Sequence, residues 1–208
     1  MVIVLGIAIL AGYVLGGRLR NLAGLRPIGV PVLLLAAYAQ IVLRLTRPAH
    51  GPHGSGATSG VITVLTFVAL VAVTAWNAVR CPPRVRPGYL FLAAGCLING
   101  VAVVANGGMP TPPEVLSGPP LWVNDWLLPH AVPHVALDGA ARVPWLADAL
   151  SLRVPDLFVM PFSVGDALIA IGAVTLVALG MTTRPAPAAP ATATRWRLPA
   201  SSRETRPR

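Results

Sequence analysis

The chain reads as an all-α, polytopic membrane protein with five transmembrane helices and a long outer interfacial loop, and three observations predict it. Hydrophobic residues make up 55% of the 208 positions and charged residues only 11%, against roughly 25% charged in soluble domains. The mean hydropathy is +0.70. The apolar residues gather in runs near the length needed to cross a hydrocarbon core of about 30 Å, roughly 17 to 25 helical residues. Arginine collects at the ends of those runs, and on alternate sides.

The first run, 2–17, is apolar throughout and ends before Arg18 and Arg20. No charged segment precedes it and no small-x-small cleavage site follows it, so it is expected to be a retained helix and not a secretory signal. Within it, Gly12-x-x-x-Gly16 offers a face for close helix packing. The second, 28–45, is entered through Pro27 and Pro31, near a first turn where proline is tolerated. Arg44 closes it and can snorkel outward. The third and fourth, 60–79 and 89–105, hold no ionisable charge. The fifth, 164–181, is preceded by Pro161-Phe162-Ser163-Val164-Gly165-Asp166, where Ser163 and Asp166 have the spacing of a capping box. Residues 1–181 thus form one membrane domain.

All 16 basic residues are arginines. Arg18, Arg20, Arg26, Arg80, Arg84, Arg86 and the six arginines from Arg184 to Arg208 fall on one side. The other side holds Arg44, Arg47, Arg142 and Arg153, offset by Glu114, Asp125, Asp138, Asp148 and Asp156. The positive-inside rule then places the protein in the cell inner (plasma) membrane with its N-terminus outside and its C-terminus cytoplasmic. The net charge of +9 serves membrane placement, and no nucleic-acid partner is expected. Membrane lipids are the expected contacts, together with a membrane-protein partner or a second copy of the chain. Cys81 sits among arginines and Cys96 within an apolar run, so no disulfide framework is expected; Cys96 reads as a small hydrophobe and Cys81 as a free thiol.

Outside the spans, His50 to Ser59 is Gly-rich and reads as a solvated linker. The tail 182–208, rich in Ala, Pro, Thr and Arg, lacks apolar periodicity and is expected to be a disordered, basic cytoplasmic segment. The outer loop, 106–163, carries Trp122, Trp126 and Trp145 with several leucines, too apolar for a free linker. It is expected to fold back on the helix ends as short interfacial helices or turns, its many prolines arguing against a sixth span. A short helix from Pro144 through Leu150 would set Trp145 and Asp148 about one turn apart.

Asn106-Gly107-Gly108-Met109-Pro110, then Pro144-Trp145-Leu146-Ala147-Asp148, then Pro161-Phe162-Ser163-Val164-Gly165-Asp166 follow four apolar runs in that order. Over residues 1–181 this set resembles an uncharacterised family of small bacterial integral membrane proteins, a domain of unknown function. The family pattern has one residue between Asn-Gly-Gly and Met-Pro, whereas here Gly108 leads directly into Met109. The resemblance implies location and architecture and no chemistry.

The polar residues of the outer face are the candidates for a site. His130, His134 and Asp138 have the i, i+4, i+8 spacing that gathers metal ligands on one helical face, but Pro129 and Pro133 break such a helix. No metal is therefore expected, and these histidines read more simply as interfacial, hydrogen-bonded groups. Asp166 is the acidic residue at a span, a default candidate for a polar site; capping the helix N-terminus explains it more cheaply. Asn106 with Gly107 reads as a helix C-cap. The alternative is a polar outer pocket made of Asn106, His130, His134, Asp148 and Asp166. Asn77, Asn99 and Gln40 read as interhelical hydrogen-bond partners.

No phosphate-binding loop, nucleophile elbow or His-Glu-x-x-His helix occurs, so no cofactor and no catalytic residue is assigned. The favoured function is a non-catalytic membrane component or accessory protein. The alternatives are a small-solute transporter or channel subunit and a membrane enzyme with an extracytoplasmic His/Asp site.

Overall fold

The computed structural model describes residues 2–46, 57–113, 134–154 and 158–183. It is mostly helical, with α1 (Val2–Val14), a 3-10 turn (Leu19–Gly24), α2 (Val30–Thr46), α3 (Ala57–Arg80), α4 (Arg86–Asn106) and α5 (Val164–Thr182). Between α4 and α5 lie β1 (Met109–Thr111), β2 (His134–Ala136), a 3-10 turn (Pro144–Leu146), β3 (Leu150–Val154) and β4 (Phe158–Phe162). His130, Trp122, Trp126, most of the His50–Ser59 linker and the tail beyond Thr183 lie outside the described residues.

Three helices, Gly60–Arg80, Arg86–Asn106 and Val164–Thr182, are long and apolar enough to cross a membrane, and they suggest a membrane protein. The first apolar run forms a shorter helix than its composition predicts. The cause in α1 is a Schellman-type C-cap: Gly16 adopts φ 76°, Gly17 N–H donates to the Gly12 carbonyl and Gly16 N–H to Tyr13. Such a left-handed residue stops a helix, leaving 13 residues, about 20 Å at 1.5 Å each.

α4 is the centre of the bundle, with α5 along one side and α3 along the other; α1 rests on α5, and α2 packs chiefly on α3. The α4–α5 contact is made through glycine. A β-carbon on Gly88 would lie 2.7 Å from the Leu176 backbone nitrogen, and one on Gly172 at 2.7 Å from that of Leu92. Small residues let helix backbones meet where apolar burial alone does not drive association. On the other flank of α5, Gly12 and Gly17 close on Met181, so the expected Gly12/Gly16 face uses Gly17 while Gly16 serves the turn. α2 is tied to α3 at its entrance by Asn77, whose side chain exchanges two 2.8 Å hydrogen bonds with the Ile28 backbone.

These contacts bring the ends of α1, α3 and α5 and the starts of α2 and α4 to one end of the bundle, where Arg18, Arg20, Arg26, Arg80, Arg84 and Arg86 all lie. Large apolar side chains such as Leu34, Leu35 and Leu65 point outward along the helices.

At the opposite end the described part of the connection, expected as short interfacial helices or turns, holds short strands and a 3-10 turn. β1 pairs with β2 in parallel, Met109 opposite His134 and Thr111 opposite Ala136, and β3 and β4 form an antiparallel pair. The Pro144 turn stops at Leu146, with Ala147 extended at ψ 167°, so Asp148 is delivered by extended chain and not by a helix. Met109 and partly buried Leu146 seat this cap on Phe67, Ala102 and Val103.

Candidate functional site

The polar groups at the cap end are gathered by three local devices. Gly107, at φ 70°, caps α4 in the left-handed conformation and turns the chain into β1. There Pro110 and Thr111 are buried, and the Pro110 carbonyl accepts from Asp148 N–H at 2.9 Å. The third device is the N-terminus of α5. Ser163 Oγ accepts from Asp166 N–H at 3.0 Å, and the Asp166 carboxylate accepts from Ser163 N–H at 3.1 Å, completing the capping box.

The box is also an interhelical link. Asn99, about two turns inside α4, donates its amide to Asp166 Oδ1 at 2.7 Å and accepts from Ser163 Oγ at 2.9 Å. The Ser163 hydroxyl proton is thus committed to Asn99, which leaves no activated nucleophile there.

Asp148 stands beside this link with 5% of its surface exposed. Its Oδ2 accepts from Thr111 Oγ1 at 3.4 Å and lies 3.6 Å from His134 Nδ1. Thr111 Oγ1 is 2.8 Å from the same imidazole nitrogen. The hydroxyl therefore sits between the pair: in the tautomer with a proton on Nδ1 it accepts from His134, and its own hydrogen is shared by two acceptors, Asp148 Oδ2 at 3.4 Å and the Met109 carbonyl at 3.3 Å. Asp148 Oδ1 is buried and has no hydrogen-bond partner among the described residues. A buried carboxylate oxygen without a donor is costly, and the cost is relieved by holding a proton or by a donor from a ligand. Burial, and after it the charge of Asp166, raises the Asp148 carboxyl from 3.8 to about 7, with the Thr111 hydrogen bond opposing. The group exchanges its proton near neutrality.

The backbone ahead of this turn is strained. Val143 takes φ 50°, a left-handed conformation that costs a β-branched residue about 1–2 kcal/mol. It directly precedes the turn that delivers Asp148, and such strain is concentrated at functional sites.

Of the outer residues singled out in the sequence, His134 and Asp148 come together, and Asp166 acts on Asp148 through its charge. Asn106 lies apart from them. Its side chain clamps the backbone of Arg142, accepting from its N–H at 2.6 Å and donating to its carbonyl at 2.8 Å. Asp138 turns back on Ala140 N–H at 2.9 Å, and His134 lies in β2, so the helical His/Asp face does not form. Among the described residues no group of three or more His, Cys, Asp and Glu side chains converges as a metal would require. Thr111 and Ser163 were not expected in a site. Ser163 was legible only as a cap, and nothing in its sequence neighbourhood marks Thr111 beyond its place after Met109-Pro110.

No curated protein and no solved structure matches the chain. Residues 28–178 match the model of a family of unknown function, DUF5317, a stretch that takes in most of the chain, from α2 through the cap and polar cluster into α5, and the protein belongs to that family.

Proposed function

We propose that this protein is a multi-pass component of the cell inner membrane, N-terminus outside and C-terminus cytoplasmic, that acts without catalysis as an accessory or scaffold. In this reading its outer cap recognises a lipid or membrane-protein group through Asp148. The observation that carries it is the buried Asp148 Oδ1, which has no donor among the described residues and follows a strained residue, Val143, at the cap end of the bundle. The hydroxyls beside it are committed to structural hydrogen bonds, which favours recognition over group transfer. A photo-crosslinking amino acid at Trp145, 70% exposed and three residues from Asp148, tests the reading in intact cells. One discrete adduct that disappears in Asp148→Ala is expected; no adduct, or one indifferent to Asp148→Ala, rejects it. Orientation is tested separately: an impermeant maleimide should label a cysteine placed at Trp145 on intact cells and reach Cys81 only after lysis.

A second reading, a small-solute transporter or channel subunit, is favoured by one observation, the charge coupling of Asp148 to Asp166 near neutral pH. Paired carboxylates of this kind serve as proton or cation relays in membranes. Proteoliposome flux abolished by Asp166→Asn would establish it over the first reading.

A further inference from the structure

At the end of the bundle opposite Asp148 a cavity of about 980 Å³ opens between the α1–α2 connection, the α3–α4 turn and the end of α5, lined by Arg18, Arg20, Asn21, Arg84 and Thr182 with Leu15 and Gly16. It is built rather than incidental. The Schellman turn at Gly16 sends the chain over the end of α5, where Arg18 N–H at 2.9 Å and the Asn21 amide at 2.6 Å both donate to the Met181 carbonyl. Arg84 is presented from the far side by the Pro82–Val85 turn, closed by the Val85 N–H to Pro82 carbonyl bond and anchored by fully buried Val85.

Three arginines therefore line one concavity, and among the described residues no acidic side chain pairs with them. The first 113 residues contain neither Asp nor Glu. Among the described residues no carboxylate lies within ion-pair distance of Arg18, Arg20 or Arg84. The opposing field comes from the carbonyl ends of α1, α3 and α5, about half a negative charge each, and the Met181 carbonyl is already satisfied twice. Three full positive charges outweigh it. Guanidinium forks match phosphate oxygens in pairs, and helix ends of a membrane bundle lie at the level of headgroup phosphates. Exposed Val14, Leu15 and Leu19 continue from the mouth as an apolar flank fit for an acyl chain.

We propose that this cavity binds a phosphate group, supplied by the headgroup of an anionic phospholipid in the cytoplasmic leaflet. The assignment is independent of the Asp148 site. The full-length protein, purified in detergent and delipidated, is titrated with dioleoyl phosphatidylglycerol, dioleoyl phosphatidylcholine and inorganic phosphate and read by native mass spectrometry. One phosphatidylglycerol is expected to bind at least about tenfold more tightly than phosphatidylcholine, since the two differ chiefly in net charge. Each of Arg18→Gln, Arg20→Gln and Arg84→Gln should weaken it about fivefold, and the triple variant on the order of a hundredfold. Arg18→Lys/Arg20→Lys/Arg84→Lys, which keeps the charge but not the paired donors of the guanidinium fork, should lose about tenfold, between the wild type and the triple glutamine variant, and Arg26→Gln/Arg86→Gln/Arg195→Gln, which removes as much charge elsewhere, should change it by less than about threefold. Equal losses in the two triple glutamine variants would reduce the effect to diffuse charge and overturn the proposal. Inorganic phosphate binding as tightly as the lipid would keep the phosphate chemistry but overturn the lipid as its source.

Discussion

Asn99 and Asp166 face each other across the α4–α5 contact, the amide of one donating to the carboxylate of the other at 2.7 Å. Asp166 thus holds two backbone-level tasks and one interhelical one, and the cap of α5 is welded to the middle of its neighbour. Ser163, fully buried, completes the triangle by donating to Asn99.

Ser163→Ala should therefore cost more than an ordinary cap. Loss of the N-cap bond is worth about 1 kcal/mol, and the stranded Asn99 oxygen adds about 1–3 kcal/mol. Thermal unfolding in detergent should show a clear drop in Tm, with Ser163→Thr losing less.

Asp148 makes stability depend on pH with a defined sign. The folded protein holds its proton up to about pH 7, whereas the unfolded chain releases it near 3.8. The contribution is complete below the unfolded value and is lost as pH rises through 7. Tm should fall between pH 5 and pH 8, and Asp148→Asn should flatten that slope and exceed the wild type at pH 8.

Gly95→Ala should separate α4 from α5, because the new methyl carbon would sit 2.5 Å from the Gly165 carbonyl oxygen. A loss of at least about 2 kcal/mol is expected from such overpacking against backbone. Gly6→Ala in α1 meets nothing within 4 Å and should be neutral or stabilising by up to about 1 kcal/mol. Chemical unfolding of the two variants side by side measures the difference.

Asn106→Ala should free the cap where Arg142 is clamped. Trypsin should then cut after Arg142 at least about tenfold faster, since cleavage follows the population of locally open chain, while the helices keep their protection.

The parts of this architecture that depend on a few adjacent residues could be read from the sequence. The Ser163/Asp166 box, the Gly107 cap and the interhelical asparagines Asn77 and Asn99 are of this kind. Strand pairing was not legible, because β1 and β2 are three residues each, lie in proline-rich chain without alternation, and meet only through tertiary contact. The same holds for Asp148: its burial and its link to Thr111 follow from the Pro110 hydrogen bond, which no spacing encodes. The first run is marginal in length for a span, but the point where α1 stops was not legible, because composition continues unbroken through Gly17 while the left-handed turn at Gly16 ends the helix. Gly12 and Gly17, and not Gly12 and Gly16, then meet Met181.

The glycine row that joins α4 to α5 leaves no slack between the two backbones from Gly88 and Gly172 at one end to Gly95 and Gly165 at the other. Those two helices form a strut of fixed length between the carboxylate-bearing and guanidinium-bearing faces. α2, whose main neighbour is α3, stands to one side of that strut.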